Sequence, residues 1–393
     1  MRLLVIGHSY QTAYYQQKFA AMKAADPSLE LRIVVPQGMK SLWSGDHKLA
    51  PPLVSQEVLR LREFFGTSHM TFIFDPISLI KVIRDFKPDS ILIEEDPHSL
   101  SGLESALFAR FCAPKAELIF FIWDNLARVP KFPLRIIKRL FTSISMRRVS
   151  GMICGNSEAM QLLQTVKGYK GPARVLPQLG IDPEQYAGAA LPRIQTRVGS
   201  SGEPVIAFLG RLVPEKGVLN LIQALHGIQD IPWKLLIIGG GPLSAVVRSE
   251  WETLWKGRLT FLDPLPHEEV AEFLKCIDIL VLPSLSVPWW KEQFGHVLIE
   301  AMAAGKVLIG SSSGAIPEVV GDAGLIFREG DVPMLRELLS RLLQSPDERS
   351  QWSQKALARS RQFSHDAVAR AYLDALASFR RTKLSFATSR VFL

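Results

Sequence analysis

Short apolar runs of strand length alternate with amphipathic stretches of helical period, and the alternation occurs twice along the chain. In the first half the runs are Leu3–Ile6, Leu31–Val35, Ser90–Ile93, Leu118–Ile122 and Gly151–Cys154, separated by helical patterns such as Gln16–Ala25 and Leu103–Phe111. In the second half they are Pro204–Leu209, Lys234–Ile238, Leu259–Leu262, Ile279–Leu282 and Val307–Ile309, with helical patterns at Val218–Leu225, His267–Leu274 and Gly295–Ala304. Continuous apolar runs suit strands covered on both faces, and strand–helix–strand repetition suits a parallel, doubly wound sheet. The 393 residues are too many for one ordinary core. The polar stretch Asp182–Pro204, rich in Gly, Ser, Pro and Ala, reads as a linker. The expected fold class is α/β, with two Rossmann-like doubly wound domains facing one another across a cleft and ligands at the carboxyl ends of the strands.

A hydrophobic content of 47% and a charged content of 21% exclude a disordered or fibrous chain. The strongest apolar run, Ala116 to Trp123, has the length of a buried strand and is too short to cross a bilayer. The N-terminal MRLLVIGHSY reads as a first strand rather than a secretory segment. Cys112, Cys154 and Cys276 are odd in number and widely spaced, which fits neither a disulfide framework nor a zinc site. A cytoplasmic location is expected.

The net charge of +8 calls for an anionic partner. Between Asn125 and Ser157 stand Arg128, Lys131, Arg135, Lys138, Arg139, Arg147 and Arg148 without a single acid. Ile136, Ile137, Leu140, Phe141 and Ile144 lie among them at helical spacing. Such a segment, 131–148, suits an anionic membrane surface at the inner face of the membrane, or else an ordinary packed helix with a solvated basic face. No nucleic-acid recognition fold is recognisable.

The residues that carry chemistry lie in two clusters. The first follows a strand: Gly210-Arg211, then Pro214-Glu215-Lys216-Gly217, then a helix. Glycine beside a strand end lets backbone approach a ligand, and two cations at the same mouth suit a diphosphate. The spacing is not that of a Walker loop. The second cluster runs from Trp290 to Gly305. Its helix-forming stretch Leu298–Ala304 stops at Gly305, and Gly295 falls at the helix start, where free N–H groups favour a phosphate. Glu292 and Glu300 stand eight residues apart, ~80° round a continuous helix. They share a site only if Glu292 precedes the helix and Glu300 points inward.

Together the clusters resemble the family 4 retaining glycosyltransferases (glycosyl transferases group 1, GT-B fold), whose E-x7-E signature is matched by Glu292…Glu300. The likeness runs through FLGRLVPEKGVLNLIQAL, LLIIGGGPL, ILVLPS, EQFGHVLIEAMAAG and SGAIPEVVGDAGLIFREGD, and more loosely through EEDPHSL, FFIWDN, GNSEAM and LPQLGID in the first half. It implies an acceptor domain over residues 1–190, a nucleotide-sugar domain over 191–371, and a C-terminal helix near 372–393 packing back on the first. Arg211, Lys216 and Glu292 would then be the catalytic residues. The two cations would neutralise a diphosphate in place of a metal, Gly295 with Phe294 and His296 would lie at the phosphates, Glu300 would hold the ribose, and Glu292 a hydroxyl of the donor sugar. Gly210 would lie with the cations at the diphosphate, and the loops at Gly239–Pro242 with Gly240 and at Asp263–Leu265 with Leu265 would flank the nucleoside. No cofactor or metal is implied. The partners would be a nucleotide sugar and a glycan or lipid-linked acceptor, in polysaccharide or glycolipid synthesis.

The first half departs from the family pattern. A Gly-Gly loop after strand one is reduced to Gly7-His8-Ser9-Tyr10, and the position of a family histidine reads Trp123-Asp124-Asn125. His8 and Asp124 each suit either an acceptor hydroxyl or a turn, and Glu94-Glu95-Asp96 suits acceptor binding or helix capping. A dehydrogenase is excluded because strand one lacks G-x-G-x-x-G. An epimerase-like or non-catalytic homologue with the same fold remains an alternative.

Overall fold

The computed structural model describes residues 1–38, 57–65, 68, 70–128, 131–199 and 202–389. The chain forms two units, one of Met1–Gly180 joined by the C-terminal segment from His365, the other of Ile181–Ser364. Both crossings therefore fall earlier than the boundaries read from the sequence, 190/191 and 371/372. The cause is local. Ile181 is buried, donates its N–H to Phe363 O at 2.8 Å and bridges to Ser364, so the two ends of the second unit are tied together. The stretch read as a linker holds two short helices, Pro183–Tyr186 and Pro192–Val198, with Tyr186, Ile194 and Val198 buried. Pro183 and Pro192 sit in first helical turns, where a missing N–H costs nothing, so residues that signal turns here start helices.

The first unit holds β1 (Arg2–Ile6), β2 (Glu30–Pro36), β3 (Val58–Leu61), a short antiparallel pair β4 (Glu63–Phe64) and β5 (Ile73–Phe74), then β6 (Ser90–Ile93), β7 (Glu117–Ile122), β8 (Gly151–Cys154) and β9 (Ala173–Val175). Its main sheet is parallel, in the order β3-β2-β1-β6-β7-β8-β9. Residues of β6 and β8 are buried throughout, which is why, Ser90 apart, their sequences are apolar runs. The C-terminal helix His365–Ser389 packs on this unit, placing Val368, Tyr372, Leu376 and Phe379 in a core with Val5, Phe19, Ile33, Leu92 and Ile153. Each large apolar side chain buried there contributes roughly 1.5–3 kcal/mol. Gly151 makes the contact possible, since a Cβ on it would lie 2.4 Å from the Phe379 ring.

The basic amphipathic segment forms the helix Leu134–Ser145. It buries its apolar stripe only in part, Phe141 and Ile144 being half-buried. The face turned to the protein carries Ser145, Thr142, Lys138 and Phe141, while Ile136 and Leu140 are each 55% exposed and Ile137, Leu134 and Phe132 are exposed as well. Arg110 fastens the far end by donating to Ser145 O at 2.5 Å and, from Nε, to Arg147 O at 2.9 Å. Among the described residues no helix is long and apolar enough to cross a membrane.

The second unit holds β10 (Val205–Leu209), β11 (Lys234–Ile238), β12 (Leu259–Leu262), β13 (Ile279–Leu282), β14 (Val307–Ser311) and β15 (Leu325–Phe327). They form one parallel sheet in the order β12-β11-β10-β13-β14-β15. Phe208, Ile237, Val281 and Ile309 from the strands meet Leu221 and Leu339 from covering helices in its core. In each sheet the winding reverses at one place, between β1 and β6 and between β10 and β13. Open doubly wound sheets bind ligands outside the strand ends at such a point.

Candidate active site

At the reversal in the second unit, the loop after β10 is knitted to the loop after β11. Gly210 donates its N–H to Ile238 O at 3.0 Å, Leu212 to Gly240 O at 2.9 Å, and Leu243 to Leu212 O at 3.0 Å. This close approach requires glycine: a Cβ on Gly239 would stand 1.9 Å from Gly210 O. The chain then makes a tight turn, Pro214–Lys216, and passes Gly217, whose φ of 70° and distance of 1.9 Å from a Cβ to Pro283 O admit no side chain. Packed that tightly against the end of β13, the turn delivers Lys216 to the loop that follows β13.

There Lys216 Nζ lies 2.6 Å from Glu292 Oε2 and 4.7 Å from the centre of the Trp290 ring. Ser284 Oγ donates to the same carboxylate oxygen at 2.9 Å. Both charged side chains are largely buried, at 15% and 8% exposure, so the pair is a fixed charge arrangement rather than a surface contact. The backbone beneath Glu292 is pinned as well. Its carbonyl accepts from Ala315 N at 3.0 Å, and Gly314 lies so close to it that a Cβ would meet Glu292 O at 2.0 Å.

Gly295, in the left-handed region at φ 77°, caps the helix His296–Ala303. Glu292 therefore precedes the helix and Glu300 stands on it, buried. His267 Nε2 is 3.6 Å from Glu300 Oε1. Burial pushes the His296 pKa down to about 4, over the opposing charge of Glu292 and with help from His267 and Lys216. That imidazole is neutral at physiological pH and stands within the fields of both the Lys216–Glu292 pair and His267. Phe294, buried, packs its ring 5.0 Å from that of His296. Burial, and after it the charge of Glu300, raises the Tyr186 hydroxyl far above its ordinary value.

The structure thus brings Lys216, Glu292 and His296 together beside the N-terminus of a helix that starts at Gly295, and places Gly210 and Gly240 in joined loops. Leu265 lies half-buried in the loop after β12, and Arg211 is exposed at the end of β10. Sequence reasoning missed Ser284, His267 and the contact of Trp290 with Lys216. Ser284 carries a readable signal, a hydroxyl directly after the apolar run of β13. His267 carries only a position after Pro266, and nothing short of the fold places it on Glu300.

In the first unit the loop after β1 meets the loop after β6. His8 donates its backbone N–H to Glu95 Oε1 at 2.7 Å, and its Nδ1 lies 2.9 Å from Glu95 Oε2. Glu94 turns the other way. It forms a fully buried pair with Lys18 at 2.8 Å and accepts from Gln178 Nε2 at 2.8 Å, so it serves the core and not a ligand. Asp96 contributes its carbonyl to Ser99 Oγ at 2.7 Å, at the start of the helix Leu100–Cys112. Asp124 is half-buried after β7, and burial lowers the His98 pKa against the opposing charges of Asp96 and, more weakly, Asp124. Among the described residues no group of three or more His, Cys, Asp or Glu side chains is placed to hold a metal ion.

Two parallel doubly wound units with a charged, glycine-lined reversal point form the GT-B fold of glycosyltransferases. The solved structure of HepE from Anabaena in complex with UDP-glucose superposes with a TM-score of 0.70 at 17% identity, over 96% of this chain and all (100%) of that one. A glycosyltransferase from Rickettsia africae gives 0.73 at 15% identity, covering 96% of this chain and 98% of that one. The family model described as Glycosyl transferases group 1 matches residues 193–359. The 2-deoxystreptamine glucosyltransferase of Streptomyces kanamyceticus is 30% identical over 175 residues, 42% of this chain and 44% of its own length. A GDP-mannose-dependent monoacylated alpha-(1-6)-phosphatidylinositol monomannoside mannosyltransferase of Corynebacterium glutamicum is 35% identical over 156 residues, 37% of this chain and 40% of its own. The chain spans less than half the length of these curated relatives.

Proposed function

We propose that the protein is a retaining glycosyltransferase that moves a hexose from a nucleotide-diphosphate sugar to a glycan or lipid-linked acceptor, in the synthesis of a cell-surface polysaccharide or glycolipid. The observation that carries the reading is the Lys216–Glu292–Ser284 arrangement at the reversal of the second sheet, beside the helix that begins at Gly295. A leaving nucleoside diphosphate develops negative charge on its phosphate oxygens, and a fixed ammonium beside the positive end of a helix answers that charge without reorganisation. On this reading Lys216 and Arg211 neutralise the diphosphate, the amides after Gly295 bind its oxygens, Glu300 holds the ribose hydroxyls and Glu292 a hydroxyl of the hexose. Gly240 and Leu265 border the nucleoside. The departing phosphate takes the acceptor proton as attack comes from the same face. The acceptor side belongs to His8 and Asp124.

The test is donor turnover across UDP-, GDP- and ADP-hexoses, with the product anomer read by NMR. Release of nucleoside diphosphate with an α-configured product from an α-configured donor is expected. A rearranged sugar nucleotide would point to an epimerase, and silence across the panel to a non-catalytic homologue.

Because fixed cations and a helix terminus supply the positive potential, turnover is expected to survive saturating EDTA. Loss of activity on chelation, restored by magnesium or manganese, would overturn that assignment.

We also propose a cytoplasmic location with peripheral attachment to the inner face of the membrane. The exposed apolar stripe of the helix Leu134–Ser145, set among cations, supports it.

A further inference from the structure

The far end of the helix Leu134–Ser145 gathers the guanidinium groups of Arg110, Arg147 and Arg148, and no acid opposes them. Arg110, on the helix Leu100–Cys112, donates from Nε to Arg147 O at 2.9 Å and from Nη2 to Ser145 O at 2.5 Å. It therefore grips the backbone from which Arg147 and Arg148 extend. Those two side chains are exposed, and neither has a partner among the described residues. Arg148 stands in the left-handed region at φ 55°, a conformation uncommon for a residue with a Cβ. Burial lowers the Arg110 pKa, and the charges of Arg147 and Arg148 lower it further. Like charges gathered in one corner repel, and an anion set between them relieves that repulsion. Steps of three or four residues carry the face of Ile136 through Leu140 and Ile144 to Arg147, just past the helix end. A helix lying in the plane of a bilayer thus brings this corner to the headgroups. Phe111, directly after Arg110, is 80% exposed and adds an apolar side chain there.

We propose that Arg147 and Arg148, held in place through Arg110, bind the phosphomonoester headgroup of an anionic lipid. The inference rests on the membrane reading above and names the lipid class that this surface prefers. A phosphomonoester carries about −1.5 to −2 charge at pH 7 and three strong acceptor oxygens. Guanidinium forks match such oxygens two at a time, which an ammonium does not. A phosphodiester brings a single charge and fewer free oxygens, so it answers the corner less completely.

The experiment compares phosphatidylcholine vesicles carrying phosphatidic acid with others carrying phosphatidylglycerol, at matched surface charge, by flotation. The wild type should partition about tenfold more strongly onto the phosphatidic acid vesicles. In Arg147→Gln/Arg148→Gln binding to both should fall, and the ratio between them should drop to near one. Arg135→Gln/Arg139→Gln removes the same charge from exposed positions on the helix itself, and should weaken both while keeping the ratio. A wild-type ratio near one, or equal loss of the ratio in the two double variants, overturns the headgroup site and leaves membrane attachment standing. Binding of soluble glycerol 3-phosphate that Arg147→Gln/Arg148→Gln abolishes, without preference between the vesicles, assigns the corner to a free phosphate ester and overturns the lipid. Binding to neither kind of vesicle overturns both readings.

Discussion

Lys216→Ala and Glu300→Ala are each expected to cut kcat/KM for the donor by about a hundredfold or more, a loss of roughly 3 kcal/mol of transition-state stabilisation relative to free enzyme and donor. The Lys216 ammonium is held 2.6 Å from Glu292 over the Trp290 ring, so it is in place before any phosphate arrives. A preorganised charge of that kind acts mainly on the transition state, and kcat should fall more than the donor KM rises. Removing it also leaves Glu292 buried without its cation, which costs about 3–5 kcal/mol of stability. A melting curve must therefore accompany the kinetics, and Lys216→Arg, which keeps the charge, should melt near wild type. Glu300→Gln keeps the shape of its buried side chain while losing the charge beside His267. Its effect should appear in binding of the free nucleotide, since a ribose contact is made equally in ground and transition states. If the alanine variants, folded by that criterion, kept a near wild-type kcat/KM for the best donor, the donor site would lie elsewhere.

What the sequence disclosed and what it hid have separate physical causes. Strands buried on both faces, such as Ser90–Ile93 and Ile279–Leu282, are, Ser90 apart, uninterrupted apolar runs, and their ends were legible to the residue. Ala173–Val175 and Leu325–Phe327 are sheet-edge strands, three residues long and largely half-exposed, so no apolar run marks them. Glycine-bearing motifs were legible because the backbone there admits nothing else, as at Gly217 and Gly295. Glu95 shows the opposite case. Glu94 and Glu95 are adjacent and chemically identical, yet one closes a buried pair with Lys18 and the other orients His8. Both lie just past the end of β6, where no strand alternation marks which side chain turns which way. Which face is core and which meets the loop after β1 depends on Lys18 and His8, and only the fold brings them there.

Vesicle flotation should show the protein bound to anionic bilayers and released by salt. The helix Leu134–Ser145 could have packed its whole stripe on the protein and left only its charges in water, but only Phe141 and Ile144 are half-buried. Leu134, Ile136, Ile137 and Leu140 stand exposed beside Phe132, and six cations occupy Lys131–Arg148 without an acid. An apolar stripe in water is unfavourable by about 25 cal/mol for each Å², which insertion at a headgroup boundary would recover. Each cation at an anionic surface adds about 1 kcal/mol. Reversing Arg135, Lys138 and Arg139 to Glu thus removes about 3 kcal/mol of attraction before counting repulsion, more than roughly a hundredfold in partitioning. Replacing Ile136 and Leu140 with Ser should weaken binding as well, but by an amount that salt does not change. The two halves of the surface can be told apart in this way. The charge-reversed protein should keep its donor turnover in solution, because the substitutions lie in the first unit and the Lys216–Glu292 pair in the second. Equal partitioning into neutral vesicles, or no binding to either kind, would leave a basic surface with no membrane role.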